Sequence, residues 1–473
     1  MSHPMSPQET SHPPVASSAP GVRVPAANAG ETHHCPALFL SAMASGQGKT
    51  TVTAALARYH RRQGRRVAVF KTGPDYLDPQ ILAHAAGTPV APLDLWMAGE
   101  AFCRDQLYRA AAEADLILIE GAMGLHDGTP SSADLAIAFD IPVACVINAR
   151  GMAQTVAAIA LGLKRLRPEL RFHGLVANAL GSERHRQLIA DSLPTDVSLL
   201  AHLPRRDDIT LPSRHLGLVQ PGECDDPDNL GLDARLDAAA DLLADTPLAE
   251  LPPAVAFRDQ ALPTPPEALK GRRIGIARDA AFSFIYQANV SLLESMGAEL
   301  HYFSPLHDPK LPEALDALWL PGGYPELYPG ELSANRAMTQ ALADFDQRGL
   351  PILAECGGML YLQQTLTDQA GVCHPMAGVL PGHGEMRTKR GCQGMQSAPL
   401  PEGEIRGHAH HHSRSHETLK PLAHGVRASH PAPGEAIFRR HRLTASYLHL
   451  FFPSNPAAVA ALFGADDAAQ EAG

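Results

Sequence analysis

The chain has no apolar run of about 18 residues, so its sequence offers no membrane-spanning helix. Cysteine is scarce: seven residues, at 35, 103, 145, 224, 356, 373 and 392, with no CxxC spacing. An odd, unpaired set fits neither a disulfide framework nor a zinc ribbon, and it points to a reducing, cytoplasmic setting. Positive charge is in short supply as well, with 39 Lys and Arg against 50 Asp and Glu and a formal net charge of -11. A protein whose main partner is nucleic acid or an anionic membrane is normally basic, so both partners are disfavoured. No internal repeat is present. What remains is 45% hydrophobic and 19% charged, the balance of a folded protein. At about 150 residues per domain, 473 residues make two large domains or three smaller ones.

The 41 prolines and 39 glycines are unevenly placed and divide the chain. Residues 1–34 are rich in Pro, Ser and Ala and lack the apolar core of a signal peptide; they read as a disordered tail, with too little surface to bury against the entropy of ordering. Residues 246–270 hold six prolines and read as a linker. Residues 465–473 read as a frayed end. Two blocks are left, 35–245 and 271–464.

The first block alternates short apolar runs with helical patterns. The runs Ala37–Ala42, Val67–Phe70, Leu116–Ile119, Val143–Ile147 and Leu175–Ala177 have the form of strands buried on both faces. Val156, Ile159, Ala160, Leu163 and Leu166 share one helical face. Repeated strand–helix–strand units imply an α/β doubly wound parallel sheet, with ligands at the carboxyl ends of its strands. The first strand runs into ASGQGKTT, a phosphate loop. Gly46 and Gly48 let backbone approach phosphate oxygens, Lys49 brings charge, Thr50 offers a hydroxyl to Mg²⁺, and Thr51 follows at the start of a helix aimed at the anion. The usual spacing would need glycine where Met43 stands, so the loop is a variant.

Two more clusters follow later strands: KTGPDYLDP, with Lys71, Asp75 and Asp78, and EGAMGLHDG, with Glu120 and Asp127. Carboxylates beside a phosphate loop suit Mg²⁺, which prefers one or two of them plus phosphate oxygens. Asp78 precedes Pro79 and an apolar run, so helix capping explains it as well as function does. Asn178, closing the strand LVAN, suits a contact with a nucleotide base or an Asn turn.

The second block contains PILAECGGMLYLQ, a buried strand turning sharply at Cys356 into a helix. A cysteine on such an elbow is exposed to substrate, a helix N-terminus lowers its pKa, and it is a candidate for a covalent thioester. His449, placed at the end of a second apolar strand in ASYLHLFFPSNP, supplies the base. Gly322 and Gly323, ending the strand LDALWLP, offer backbone N–H groups as an oxyanion hole. The other six cysteines read as inert. The run His408–His412 invites a metal reading beside a packed or solvated strand. Residues 385–442 carry ten Lys and Arg against five Glu, a local +5 suited either to a polyanionic small molecule or to a solvated face.

These segments together resemble the cobyrinic (or hydrogenobyrinic) acid a,c-diamide synthase family. ASGQGKTT, FKTGPDYLDP, LDLWMAG, EGAMGLHDG, ANALGSERH, RIGIARDAAFSFIY, PGGYPELY, AECGGMLYL and SYLHLFFPSNP carry the match, across about residues 37–456. The resemblance implies a dethiobiotin-synthetase-like ATP domain joined to a triad-type glutamine amidotransferase domain. It implies ATP, Mg²⁺ and glutamine, with a corrin polycarboxylate as substrate. Carried over by motif position, Gly46, Gly48, Lys49, Thr50, Thr51 and Asn178 bind ATP, and Thr50, Asp75, Glu120 and Asp127 hold the metal or orient an acyl phosphate. Tyr76, Leu77 and Asp78 lie near the corrin, and Cys356 and His449 release ammonia from glutamine.

Departures from the family pattern are informative. Ordinary triad amidotransferases carry Glu two residues after the histidine; here Phe451 stands there, as in the cobyrinate branch, which leaves open what orients His449. The family's GHEFHYS is GHAHHHS at 407–413. A cobyric acid synthase shares the glutaminase end but should lack GPDYLDP, whereas a nickel-sirohydrochlorin a,c-diamide synthase shares most motifs. A ParA-like regulatory NTPase explains the first block and leaves Cys356 and His449 idle. Monomer and homodimer both stay open.

Overall fold

The computed structural model describes residues 30–211, 213–214, 217–218, 231–260, 262–389 and 391–465. The tail expected over 1–34 and the frayed end over 465–473 therefore lie largely outside the described residues. The two blocks between them are separate α/β units.

In the first unit seven strands form a parallel sheet: β1 (Thr32–Ala42), β2 (Val67–Thr72), β3 (Ala91–Leu93), β4 (Leu116–Glu120), β5 (Val143–Asn148), β6 (Phe172–Leu180) and β7 (Leu199–Pro204). Their order is β3-β2-β4-β1-β5-β6-β7. All five apolar runs read as strands are strands. Helices cover both faces, so Leu38, Leu40, Val67 and Val69 pack on one side while Phe39, Phe70, Ile117 and Ile119 pack on the other. The strand order reverses direction at β1, which lies between β4 and β5. That is the switch point where an open α/β sheet leaves a crevice at its carboxyl edge. The phosphate loop sits there, between β1 and helix α1 (Lys49–Arg62), and the segment after β2 leads into α2 (Leu77–Ala86).

The block boundaries move. Thr32, His33 and His34 were placed in the tail, but they belong to β1, whose first half pairs antiparallel with Ala254–Arg258. That partner strand lies inside the stretch expected to be linker. Val255 and Phe257 are buried while Ala254, Ala256 and Arg258 are exposed, the period-2 pattern of a strand with one buried face. The surrounding prolines obscured it. β1 extends beyond its parallel neighbours, and Ala254–Arg258 satisfies the backbone groups that the overhang would otherwise leave unpaired.

The second unit has a seven-stranded sheet. Glu299–Phe303, Arg273–Ala277, Ala317–Leu320, Ile352–Glu355 and Leu443–Ser446 lie side by side and parallel, and Ala436–Arg440 and Ala423–His424 add antiparallel. His449 does not end a strand of this sheet. The chain leaves it after Ser446, and His449–Leu450 pair instead with Gly403–Ala409 in a smaller sheet. The two units meet through a cluster of Met97, Tyr286 and Phe451, with Tyr76, Trp96, Phe102 and Met395 packed around it. The LDLWMAG segment is part of this seam: Asp94 accepts from the Trp96 and Met97 N–H groups, and the Trp96 carbonyl accepts from Arg406 Nη1 at 2.8 Å. Among the described residues no helix is long and apolar enough to cross a membrane.

Phe257 is 5% exposed within the core beneath β1. Phe257→Ala is expected to lower the stability of the first unit by about 3–5 kcal/mol, the usual cost of emptying a buried aromatic site. Urea denaturation followed by circular dichroism measures it. A loss below about 1 kcal/mol would return Ala254–Arg258 to the status of a linker.

Candidate active site

The phosphate loop is held by its neighbours. Gly48 has φ +93, and a Cβ there would meet Asn178 Nδ2 at 2.2 Å, so both backbone angle and space require glycine. Asn178 Nδ2 donates to the Gln47 carbonyl at 2.9 Å, and its Oδ1 accepts from the Ala179 N–H at 2.8 Å. Its side chain is thus spent on loop and turn, where the sequence also suggested a base contact. Gln47 Oε1 in turn accepts from the Asn148 N–H at 2.9 Å. Lys49 Nζ donates to the Met123 carbonyl at 2.7 Å, across the mouth of the loop. Burial, then neighbouring Lys71, lowers its pKa.

Beside Thr50 of the loop the structure gathers four groups that the sequence had singled out, Lys71, Asp75, Asp78 and Glu120. Thr50 Oγ1 donates to Glu120 Oε1 at 3.1 Å. Lys71 Nζ lies 2.6 Å from Asp75 Oδ2 and 3.8 Å from Glu120 Oε1. Burial works against the Lys71 charge, but Asp75, Glu120 and Asp78 outweigh it and raise its pKa. Burial also pushes Glu120 up to about 8 and Asp78 up to about 6, each opposed by Lys71. Asp78 is no cap: α2 has no side-chain cap bond, and Asp78 interacts with the Thr50 hydroxyl instead. Glu120 Oε2 is buried with no partner. An oxygen in that state beside a Thr hydroxyl suits a hard divalent cation. Asp127 stands apart: it is exposed and accepts from the Gly124 N–H at 3.0 Å, a turn contact. Thr51 lies in the first turn of α1, half-buried.

In the second unit Cys356 sits at φ 44 and ψ −103, a conformation that costs energy in a non-glycine residue and marks a forced elbow. Its N–H is held by the Ser446 carbonyl at 2.7 Å. The helix after it spans only Gly357–Leu362. The expected lowering of the thiol pKa is overturned: burial, then Glu326 and Glu435, raises it. His449 is shifted the other way, well below its ordinary value, by burial and then by neighbouring His408. Burial thus disfavours the charged form of both groups. Neither ring nitrogen of His449 has a hydrogen-bond partner, and the ring lines the same pocket as Cys356. A Cβ on Gly322 would lie 2.3 Å from His449 Cε1, so this glycine makes room for the ring. Gly323 lines the pocket and carries its N–H toward the elbow, where a Cβ on Gly357 would approach it to 2.9 Å.

The group missing at Phe451 is replaced by a different kind of support. Phe451 is fully buried and packs edge-on against Phe102 and Tyr286, so the position serves the seam between units. His449 is oriented through its backbone and its ring faces. Glu355 Oε1 accepts from the Leu450 N–H at 2.8 Å and Oε2 from Trp319 Nε1 at 3.0 Å. Asn289 Nδ2 donates to the Leu450 carbonyl, and Oδ1 accepts from the Phe452 N–H, each at 2.8 Å. The His449 ring stacks on His408 at 5.1 Å and 16°. Sequence reasoning missed Glu355 and Asn289 as positioning residues; a Glu directly before the nucleophile was the available signal.

The His408–His412 run divides by role. His408 stacks on His449, and His411 Nε2 lies 2.8 Å from Glu435 Oε1 with its ring flat on Tyr447. Among the described residues no cluster of three or more His, Cys, Asp and Glu side chains is gathered at the run, and His408 and His411 are taken up by ring stacking and the Glu435 contact.

Tyr76 joins the halves. Its ring stacks on Phe284 at 4.9 Å and 4°, and lies 5.2 Å from His449. A pocket of about 170 Å³ is lined on one side by Cys356, His449, Gly323 and His408 and on the other by Asp75, Tyr76, Leu77 and Asp78. The thiol and the carboxylate cluster beside the phosphate loop share one space.

Residues 38–219 match the CobQ/CobB/MinD/ParA nucleotide binding domain, and residues 273–457 match the CobB/CobQ-like glutamine amidotransferase domain. The chain is 55% identical over 431 residues to a hydrogenobyrinate a,c-diamide synthase of Stutzerimonas stutzeri, covering 91% of this chain and 99% of that one. It is 54% identical over 428 residues to the protein of that name from Pseudomonas aeruginosa, covering 90% and 97%. A cobyrinate a,c-diamide synthase of Herminiimonas arsenicoxydans is 46% identical over 438 residues, covering 91% and 97%. The chain belongs to the cobyrinate and hydrogenobyrinate a,c-diamide synthase family. Its first unit is accordingly a nucleotide-binding domain and its second a glutamine amidotransferase domain, which leaves a purely regulatory NTPase without support.

Two measurements test this geometry. Asn289→Ala strands the Leu450 carbonyl and the Phe452 N–H, and should cost about 2–4 kcal/mol of stability together with a marked fall in glutamine hydrolysis. Unchanged kcat in a folded variant would show that the clamp does not position His449. Because burial keeps His449 neutral below its ordinary range, kcat/KM for glutamine hydrolysis should hold its value as pH falls through about 6.5. A loss centred at or above that value would contradict the desolvated ring.

Proposed function

We propose that the chain catalyses ATP-dependent amidation of the a and c carboxylates of cobyrinic or hydrogenobyrinic acid, with ammonia taken from glutamine, in corrinoid biosynthesis. One observation carries the reading: the pocket that holds Cys356 and His449 is closed on its far side by Asp75–Asp78, beside the phosphate loop. A regulatory nucleotide switch has no use for a thiol facing the carboxylates that follow β2.

The chemistry runs in two halves. Cys356 adds to the carboxamide of glutamine as His449 takes the thiol proton and then passes it to the departing nitrogen. Ammonia leaves, and water later releases glutamate from the thioester. The Gly323 N–H faces the oxyanion. In the first unit a substrate carboxylate attacks the terminal phosphate of ATP, giving an acyl phosphate and ADP. Lys49 and Lys71 hold the charge that gathers on phosphate, and ammonia displaces phosphate to leave the amide. Thr50 and Glu120 are the residues that would hold Mg²⁺, with Asp75 and Asp78 close by. The cation would neutralise phosphate charge. Leu77, buried in the first turn of α2, and Tyr76 bound the space the carboxylate enters. The role of Asp127 is indirect, through the turn that carries the Met123 carbonyl.

The test is amide formation on cobyrinic acid and on hydrogenobyrinic acid with ATP, Mg²⁺ and either glutamine or ammonia. Cys356→Ala should abolish glutamine-dependent amidation and leave ammonia-dependent amidation working. Lys49→Ala should stop both. Loss of ammonia use in a folded Cys356→Ala variant sinks the division into two half-sites, and normal ammonia-dependent turnover by Lys49→Ala sinks the phosphate-loop assignment.

A further inference from the structure

A second, much larger cavity of about 1070 Å³ lies between the units, on the other side of Tyr76 from the glutaminase pocket. Ligand sites for drug-sized molecules usually fall between about 300 and 1,000 Å³. The cavity is lined by Lys71, Gly73, Asp75 and Tyr76 from the end of β2, and none of the phosphate-loop residues 46–51 lines it. It is therefore a separate space that touches the reaction zone at one end. The small pocket and this cavity share only Asp75 and Tyr76.

Its far wall is the RIGIARDAAFSFIY segment, which the amidation chemistry does not use. Asp279 fixes that segment. Oδ1 accepts from the Ala281 and Phe282 N–H groups, and Oδ2 accepts from Ser304 Oγ at 2.8 Å and the Leu306 N–H at 3.0 Å. With the loop so held, Ser283, Ile285 and Tyr286 line the large cavity while Phe284 lines the small pocket.

The charged lining is Arg58, Arg61, Lys71 and Arg278 against Asp75, Asp233 and Asp279. Of its four Lys and Arg side chains, Arg58 is occupied by Asp237 at 2.7 Å and Asp233 at 3.0 Å, and Lys71 by Asp75. The other two meet no carboxylate among the described residues. Arg61 donates only to the His84 and Ala85 carbonyls, at 3.1 and 3.5 Å. Arg278 is exposed, and its guanidinium sits over the Tyr302 ring at 5.1 Å with no ion pair. Tyr286, Tyr302, Ile285 and Val90 supply apolar surface between them. A guanidinium without a carboxylate partner is a fork made for one. The basic segment at 385–442, expected to meet a polyanion, contributes no Lys or Arg to either cavity among the described residues. Arg439 is paired with Glu402 and Arg440 with Asp346.

We propose that this cavity seats the macrocyclic polycarboxylate, with Arg278 and Arg61 binding peripheral carboxylates while the reacting carboxylate reaches Asp75 and Tyr76. The proposal rests on the amidation reading above. Equilibrium dialysis of cobyrinic acid against the full chain, read by its visible absorbance, tests it. Arg278→Gln should weaken binding about tenfold, and the Arg61→Gln, Arg278→Gln double variant about a hundredfold, as expected for lost charge-assisted bonds. In turnover the KM for the tetrapyrrole should rise by a similar factor relative to the KM for glutamine. Ser283→Trp, which narrows the cavity and leaves every charge in place, should weaken binding too and carries the test if the arginine variants do not fold. Binding within about twofold of the parent in all of these variants overturns the site and leaves the amidation reading standing. Failure of the parent chain to bind or amidate the acid overturns both.

Discussion

The structure depends on a stack of aromatic rings across the seam between its units. Tyr76, at the N-terminal end of α2, lies flat on Phe284 of the other unit and within ring contact of Tyr286, His408 and His449. The stack brings the carboxylates that follow β2 into the pocket of Cys356, and it stands between the two cavities. Large flat rings bury much area with few rotatable bonds, so they fix one unit against the other at modest entropic cost. Met97, Phe102 and Phe451 continue the same contact. The residue at which this family gives up the third member of the triad is therefore one the seam needs to be apolar.

Losing that member did not leave His449 unsupported. A carboxylate hydrogen-bonded to the ring would fix its tautomer and raise its basicity. Here Glu355 and Asn289 hold the backbone at Leu450 and Phe452, and His408 covers one ring face. Orientation is kept, while burial lowers the pKa of the ring and raises that of the thiol.

The first unit uses opposite means at its phosphate site. Charges are numerous there and compensate one another: Lys49 and Lys71 face Asp75, Asp78 and Glu120. Burying so many ionic groups is costly unless each is paired. The cost is tolerable because Lys71 bridges two carboxylates, and because Glu120 keeps one oxygen unpartnered where a cation would sit.

The sequence by itself determined what depends on local spacing. Apolar runs buried on both faces became the parallel strands, and glycine-rich turns after strands marked the phosphate loop and the elbow at Cys356. It misjudged what depends on partners far along the chain. Ala254–Arg258 looked like linker because its prolines are local and its partner, β1, lies more than two hundred residues away. Asn178 suggested a base contact or an Asn turn, and only the structure shows its amide spent on the turn and on the phosphate loop. The dipole argument for Cys356 failed because burial outweighs a helix of six residues. The large cavity was invisible in the sequence, since its arginines come from α1 and from the loop after Arg273–Ala277, and only the packing of two units brings Arg61 and Arg278, neither paired with a carboxylate among the described residues, to face one space.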